Sequence, residues 1–282
     1  MPDRDAVMGE LPVRLGRSIH GEPIRVDFAG AGHWLIAGET RSGKSVATYV
    51  LTAELAQHFS TVRVVGLDPT SIVLGPFADR YRDPLIELGT GDPPACLRVV
   101  ERLLAMMDSR LILLRRNDTD AIRRFTPSLP LVAVILEELP ALMRAAKSYD
   151  SAVGAKPADR IAPQLERGIE RLLSESAKVG FRLVALMQRP DADVLGSGYA
   201  RAQMTTRIGM RMSDPADLAM LFKTLTPQEL SEGTRAEPGV GFIRVPGNSA
   251  PQRFRTDFVP SYRSWSALVR ASGPRPNLQK RA

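Results

Sequence analysis

Short apolar runs alternate along the chain with longer stretches whose apolar residues recur at helical spacing. His33 to Ala37 (HWLIA), Val62 to Leu67 (VRVVGL), Leu131 to Leu136 (LVAVIL), Phe181 to Leu186 (FRLVAL) and Thr206 to Met210 are each bounded by Gly, Pro or charge. Runs of that length and boundary predict buried strands. Between them, Gly43 to His58, Cys96 to Arg116 and Ile161 to Val179 carry Leu, Ile, Val and Ala on one face and charge on the other, which predicts crossover helices. The alternation predicts an α/β fold with a mostly parallel central sheet. Val240 to Val245 and Gln252 to Phe258, separated by Pro246-Gly247-Asn248, predict a hairpin added after the core, at a sheet edge. A flexible polar lead over 1–12 and a basic flexible tail over 267–282 are expected to flank a single domain over 13–266.

Composition narrows the class. The chain has 282 residues, 44% hydrophobic and 24% charged, the balance of a globular chain with a large core. Its single cysteine, Cys96, excludes an internal disulfide, and His20, His33 and His58 have no metal-ligand spacing. The longest aliphatic run, Leu131 to Leu136, is far short of the ~20 residues that cross a bilayer. The start of the chain is acidic and without an apolar core, so no transmembrane segment or signal peptide is expected and the expected compartment is the cytoplasm. A formal charge of +7 has the sign that suits a polyanionic partner, and serves solubility equally well.

The first core strand runs directly into Gly38-Glu39-Thr40-Arg41-Ser42-Gly43-Lys44-Ser45-Val46, a complete G-x-x-x-x-G-K-[ST] loop at the head of a helix. Glycines let consecutive N–H groups turn inward, and the helix start adds partial positive charge, so the segment predicts a nucleoside triphosphate site. Lys44 is expected at the β- and γ-phosphates and Ser45 in a Mg²⁺ shell, which makes ATP and Mg²⁺ the expected ligands. Gly30-Ala31-Gly32 is not a dinucleotide fingerprint, because its strand follows it and Leu35 stands where the third glycine belongs.

Triphosphate hydrolysis needs one acid on the metal side and another to activate water. Val132-Ala133-Val134-Ile135-Leu136-Glu137-Glu138 delivers two at the end of a buried strand. Adjacent residues there point opposite ways, so Glu137 is expected on the metal and Glu138 as general base; the alternative is that both acids open the next helix. Gln188, in Met187-Gln188-Arg189-Pro190, is either a γ-phosphate sensor or part of a surface turn.

These residues resemble the FtsK/SpoIIIE DNA translocases, ring ATPases of the RecA-like class, over about Leu15 to Tyr262. The likeness lies in Leu15-Gly16-Arg17-Ser18, Gly21-Glu22-Pro23-Ile24, HWLIAGETRSGKSV, Val65-Gly66-Leu67-Asp68-Pro69, AVILEELPALM, GFRLVALMQRP, Thr205-Thr206-Arg207-Ile208 and Gly239-Val240-Gly241-Phe242-Ile243. The family has Asp where this chain has Glu137, Lys where it has Thr70 and Thr where it has Met187; the longer Glu137 side chain bears on turnover. The chain is similar in type to the main transfer proteins of actinomycete conjugative plasmids and integrative elements. The resemblance implies a P-loop NTPase core with a short β-rich lead and ATP-driven translocation of double-stranded DNA in conjugative transfer. It also implies a homo-hexamer, recruitment to membrane-associated transfer partners, and completion of each site by a neighbour's arginine, for which Arg207 and Arg201 are the candidates.

A motor indifferent to sequence holds phosphates. Arg144, Lys147 and Lys156 are the expected DNA contacts, because Arg144 to Lys156 contains Ser148, Tyr149, Ser151 and Gly154 and reads as a flexible loop. Arg115 and Arg116 read instead as cations at a helix C-terminus. Two other readings stay open: an FtsK-like ATPase that secretes protein, and an ATP-binding assembly module with little turnover.

Overall fold

In a computed structural model, residues 10–190, 202–248 and 250–273 are described. The elements begin with β1 (Pro12–Ser18), β2 (Pro23–Asp27), β3 (Trp34–Ala37), α1 (Lys44–Gln57), β4 (Val62–Asp68), α2 (Gly75–Tyr81), β5 (Ile86–Leu88) and α3 (Pro93–Arg116). They continue with β6 (Leu131–Glu137), α4 (Leu139–Ala152), α5 (Ile161–Glu175), β7 (Phe181–Met187), β8 (Thr206–Met210), α6 (Pro215–Leu221), α7 (Pro227–Thr234), β9 (Val240–Arg244), β10 (Gln252–Thr256) and α8 (Tyr262–Ala271).

Strand β6 shows why the core has two halves. Its period-two alternation sends Val132, Val134 and Leu136 to one side and Leu131, Ala133 and Ile135 to the other, all of them buried. A strand buried on both faces needs helices on both faces. One layer is α3, α4 and α5, through residues such as Leu103, Leu142 and Leu165; the other is α1, α2 and α8, through Leu51, Phe77 and Trp265.

The strands form one sheet in the order β2-β1-β10-β9-β8-β3-β7-β6-β4-β5. The block from β8 to β5 is parallel and β9, β10, β1 and β2 add antiparallel. The mostly parallel α/β expectation holds.

Four expectations change. The β9–β10 hairpin is interior: β9 pairs with β8 and β10 with β1, so β2 forms that edge. The β1–β2 ribbon earns its place by alternation, burying Val13, Leu15, Ile24 and Val26, and it reaches into the expected lead, where Leu11 is buried with its N–H on Asp27 Oδ1 at 2.8 Å. Residues 267–271 of the expected tail belong to α8, whose Trp265 and Val269 are buried. Arg144 to Ala152 is helix and not loop, because Leu142, Met143, Ala146 and Asp150 recur at helical spacing on the buried face of α4. Residues 1–9, 274–282 and Arg201 lie outside the described residues.

Candidate nucleotide site

The four residues of β3 are all buried, and its register sets Ala37 beside Met187 on one side and Gly209 on the other. The loop therefore leaves the middle of the sheet, where the Gly38 N–H donates to the Met187 carbonyl at 3.2 Å. A Cβ on Gly38 would stand 2.6 Å from Ser42 Oγ and 2.7 Å from Met210 Cβ. Gly43 has φ 99°, and a Cβ there would collide with the Gly239 backbone. Only glycine allows the loop to fold so tightly.

Helix α1 begins at Lys44 with no side-chain cap on Gly43 and no acid in its first turn. Its leading amides and the positive end of its dipole thus face the loop, as an anion site requires. The loop's outer side is pinned. The Glu39 carboxylate accepts from Ser213 N–H and Ser213 Oγ–H at 2.6 Å each, the Glu39 N–H donates to the Arg211 carbonyl at 3.1 Å, and the Gly239 N–H donates to the Ser42 carbonyl at 2.9 Å. Those Ser213 bonds hold the Glu39 carboxyl below the usual range. Arg41 takes a left-handed conformation, φ 64°, and Thr40 and Arg41 are exposed. Ser45 is exposed on the first turn of α1, with Val46 half-buried beside it.

Lys44 Nζ meets Glu138 Oε2 at 3.1 Å, with both side chains largely buried. Glu138 stands in a left-handed conformation (φ 45°, ψ 53°) as the first residue of the α4 turn, its N–H on the Leu186 carbonyl at 2.9 Å. Such a conformation in a residue other than glycine costs roughly 1–3 kcal/mol and occurs where packing enforces a functional geometry. So Glu138 opens the helix, as one of its two readings expected, and also reaches the P-loop lysine, while Glu137 stays in the strand.

Glu137 continues the parity of Leu131, Ala133 and Ile135 and faces the α1 layer. Leu67 of β4 pairs with Leu136, so Asp68 and Glu137 are the next residues of neighbouring strands and share that face. Asp68 is spent on its own turn, accepting from Thr70 N–H, Thr70 Oγ–H and Leu74 N–H at 2.8–2.9 Å. Glu137 Oε2 is buried without a hydrogen-bond partner. Burial, then the Asp68 carboxylate, pushes the Glu137 carboxyl up to about 7, with Lys44 opposing and Glu138 adding to the rise.

Gln188 is exposed at the end of β7, the strand that lies between β3 and β6, so it emerges between the P-loop and the acids. Arg207 sits elsewhere. It lies in mid-strand opposite Leu35 and donates to the Met204 and Leu221 carbonyls of its own chain at 2.9 Å. Arg144 and Lys147 are exposed one turn apart on α4, and Lys156 is exposed in the turn after it. Arg115 and Arg116 close α3, as expected of C-terminal cations.

The residues present fit a nucleoside triphosphate. The close-packed glycines, the uncapped helix start and the lysine are the donor set that a polyphosphate needs. For a divalent cation the oxygen donors at the loop are Ser45 and Glu137, hard ligands of the kind Mg²⁺ takes together with phosphate oxygens. Sequence reasoning did not place Asp68 beside Glu137, although both end an apolar strand. It also missed the Glu39–Ser213 clamp, which joins residues 174 apart in sequence.

Comparison with known proteins agrees with this geometry. Residues 3–239 match the FtsK/SpoIIIE family. "DNA translocase FtsK" of Treponema pallidum (strain Nichols) is 26% identical over 273 residues, covering 90% of this chain and 32% of that protein. "DNA translocase SftA" of Bacillus subtilis (strain 168) is 29% identical over 262 residues, covering 88% and 25%. The chain thus spans about a quarter to a third of these curated relatives. Among solved structures, the pCW3 conjugation coupling protein TcpA in a monomer form with ATPγS superposes with TM-score 0.69 at 20% identity, covering 95% of this chain and 73% of that one. The cytoplasmic domain of the Thermomonospora curvata type VII secretion ATPase EccC gives TM-score 0.70 at 19% identity, covering 98% and 32%. Both likenesses are of fold, that of P-loop NTPases with an open, mostly parallel sheet. A match over most of the chain assigns this protein to the FtsK/SpoIIIE family.

Proposed function

We propose that the chain is an ATP-hydrolysing motor domain that translocates double-stranded DNA in conjugative transfer of a plasmid or integrative element. The observation that carries the hydrolytic part is the Lys44–Glu138 pair at the mouth of an uncapped P-loop, with Glu137 beside it. In this reading Gly38 to Val46 wrap the phosphates and Lys44 neutralises the β/γ oxygens. Its three donors let it keep Glu138 in place while it does so. Glu138 takes the proton of the attacking water, and Gln188 orients that water. Mg²⁺ held by Ser45 and Glu137 would supply charge neutralisation on the phosphates. Arg207 serves a neighbouring subunit's site in a homo-hexamer only after leaving the Met204 and Leu221 carbonyls.

The DNA part is supported by family membership and by the names of the compared relatives. Conjugative transfer is supported by the fold likeness to a conjugation coupling protein. Arg144, Lys147 and Lys156 are the proposed phosphate contacts, the first two presented on α4 and the third in the turn after it. The comparable likeness to a secretion ATPase supports a second reading, with a protein substrate. The test is the Mg²⁺-ATPase rate with and without linear duplex DNA, at ~50 mM and ~200 mM salt. Stimulation that fades in the higher salt is expected. ATP turnover indifferent to DNA would overturn the DNA reading in favour of the protein substrate, and binding without turnover would leave an assembly module. The cytoplasm, with membrane-associated transfer partners, is the proposed setting; no described helix is long and apolar enough to cross a membrane.

A further inference from the structure

The last helix of the described chain is wired to the P-loop lysine. Helix α8 packs on α1 and α2, burying Trp265 and Val269. Trp265 Nε1–H donates to Thr52 Oγ at 3.2 Å. The Thr52 hydroxyl, fully buried, donates in turn to the Thr48 carbonyl at 2.7 Å, and the Thr48 hydroxyl, also buried, donates to the Lys44 carbonyl at 3.0 Å. A continuous run of hydrogen bonds therefore joins α8 to the backbone of Lys44 along the buried face of α1.

A second contact runs beside it. The Trp265 ring stacks on Tyr49, centroids 4.3 Å apart and planes 22° from parallel, and Tyr262 closes the cluster at 6.1 Å from Tyr49. Tyr49 lies one turn after Ser45 on the same face of α1, the layer towards which Asp68 and Glu137 point. Burial first, then Tyr262, Asp68 and Glu137, push the Tyr49 phenol up, which places its hydroxyl in the field of those acids. The helix is also anchored from α2, by Arg270 on Asp79 at 2.8 Å and by Arg80 on the Gly273 carbonyl at 2.6 Å.

We propose that α8 is a positioning element of the nucleotide site, with Trp265, Thr52 and Thr48 as positioning residues that fix the first turn of α1 and hence Lys44. The inference rests on the proposed ATP site and goes beyond it, because none of these side chains is assigned a contact with nucleotide. Threonine bonded to the carbonyl four residues back bends a helix slightly, and two such bonds in succession set the axis of α1 where the phosphates are gripped. What α8 does is then felt at the loop, so a load or partner acting on α8 would act on ATP affinity.

The test uses the full chain in a Trp34→Phe background. Trp34 Nε1 has no hydrogen-bond partner, so that substitution leaves Trp265 as the only fluorophore of its kind without breaking a bond. ATPγS affinity is measured by titration calorimetry and Trp265 emission is followed in the same titration. The expected result is a nucleotide-dependent change in Trp265 emission, an ATPγS Kd about fivefold weaker in Thr52→Val and in Trp265→Phe, and affinity restored in Thr52→Ser, which keeps the hydroxyl. Trp265→Phe keeps an aromatic ring against Tyr49 while removing the donor and part of the indole's packing; it answers the question where Thr52→Val fails to fold, and Thr52→Ser, which keeps the Trp265 acceptor, separates the hydrogen bond from the packing. Silent Trp265 emission with unchanged Kd in both variants would overturn the positioning role and leave the ATP site intact. Failure of the parent protein to bind ATPγS would overturn the proposed function as well.

Discussion

Glu137→Gln should stabilise the protein at alkaline pH and not at acid pH. The carboxyl belongs to a side chain whose Oε2 is buried without a partner, and burial with the Asp68 carboxylate moves it from 4.5 to about 7. Between those values the native state keeps a proton that the unfolded chain has released, so stability falls as pH rises through that window. The fall is complete above about pH 7, where the native carboxyl is charged. A displacement of about 2.5 units at 1.36 kcal/mol per unit sets the penalty at about 3 kcal/mol. The amide has the same shape and no charge, so it removes the penalty and adds only a constant offset from its own hydrogen bonding. Urea unfolding followed by circular dichroism, at intervals from ~pH 5 to ~pH 8, gives the difference between variant and parent. That difference should grow by about 2–3 kcal/mol in favour of Glu137→Gln across the series. A difference that stays flat, or that shrinks as pH rises, would refute the assignment of Glu137 as a buried acid held against a second carboxylate.

Lys44→Ala is expected to abolish ATP binding, and Glu138→Gln to keep binding while lowering turnover by at least ~10²-fold, as loss of a general base does; equilibrium binding and steady-state ATPase on each variant separate the two roles. Asp150→Ala should cost about 2–3 kcal/mol in urea unfolding, because its carboxylate takes the first amides of α5, Ile161 N–H at 2.7 Å and Ala162 N–H at 2.9 Å, and removal leaves both buried and unpaired. Arg144→Ala with Lys147→Ala should weaken duplex binding at every sequence and lower the slope of log affinity against log salt by about 1.8, two phosphate contacts' worth; an unchanged slope would remove α4 from the DNA surface.

The core of the fold was legible because its strands obey one rule. Runs such as Leu131 to Leu136 are apolar at every position, and only a strand covered by helices on both sides buries them all. Elements that depend on partners were not. β5 has three half-buried residues and pairs only through Gly66, Leu67 and Asp68 of β4, so nothing in its own composition marks it. The α4 segment misled through Ser148, Ser151 and Gly154, which look like loop residues and lie on the exposed face of the helix or in the turn after it, while Asp150 among them is 7% exposed because α5 supplies it with two amides. The place of the β9–β10 hairpin inside the sheet was likewise a fact about β1, more than 200 residues away in sequence.

The site divides the same way, and the division has a physical cause. The P-loop is read from sequence because its constraint is local: Gly38 and Gly43 are needed where a Cβ would meet Ser42 or Gly239. The acids are half-local. Their position at a strand end is written in β6, but what makes Glu137 unusual is the β4–β6 register that seats Asp68 beside it. Glu138 goes further, since its left-handed backbone violates the preference of its own residue type. The compensation comes from Lys44 in front of it and Leu186 behind it, on two other elements. Strain at Glu138 and a buried carboxyl at Glu137 thus meet where parallel strands of the sheet end together, and they persist because the packed sheet below does not yield. The proposed hydrolytic site would draw on that arrangement. Groups that are unfavourable at rest respond to the arrival of phosphate and cation, whereas groups already satisfied by the protein, such as Asp68 with its three donors, have nothing left to exchange.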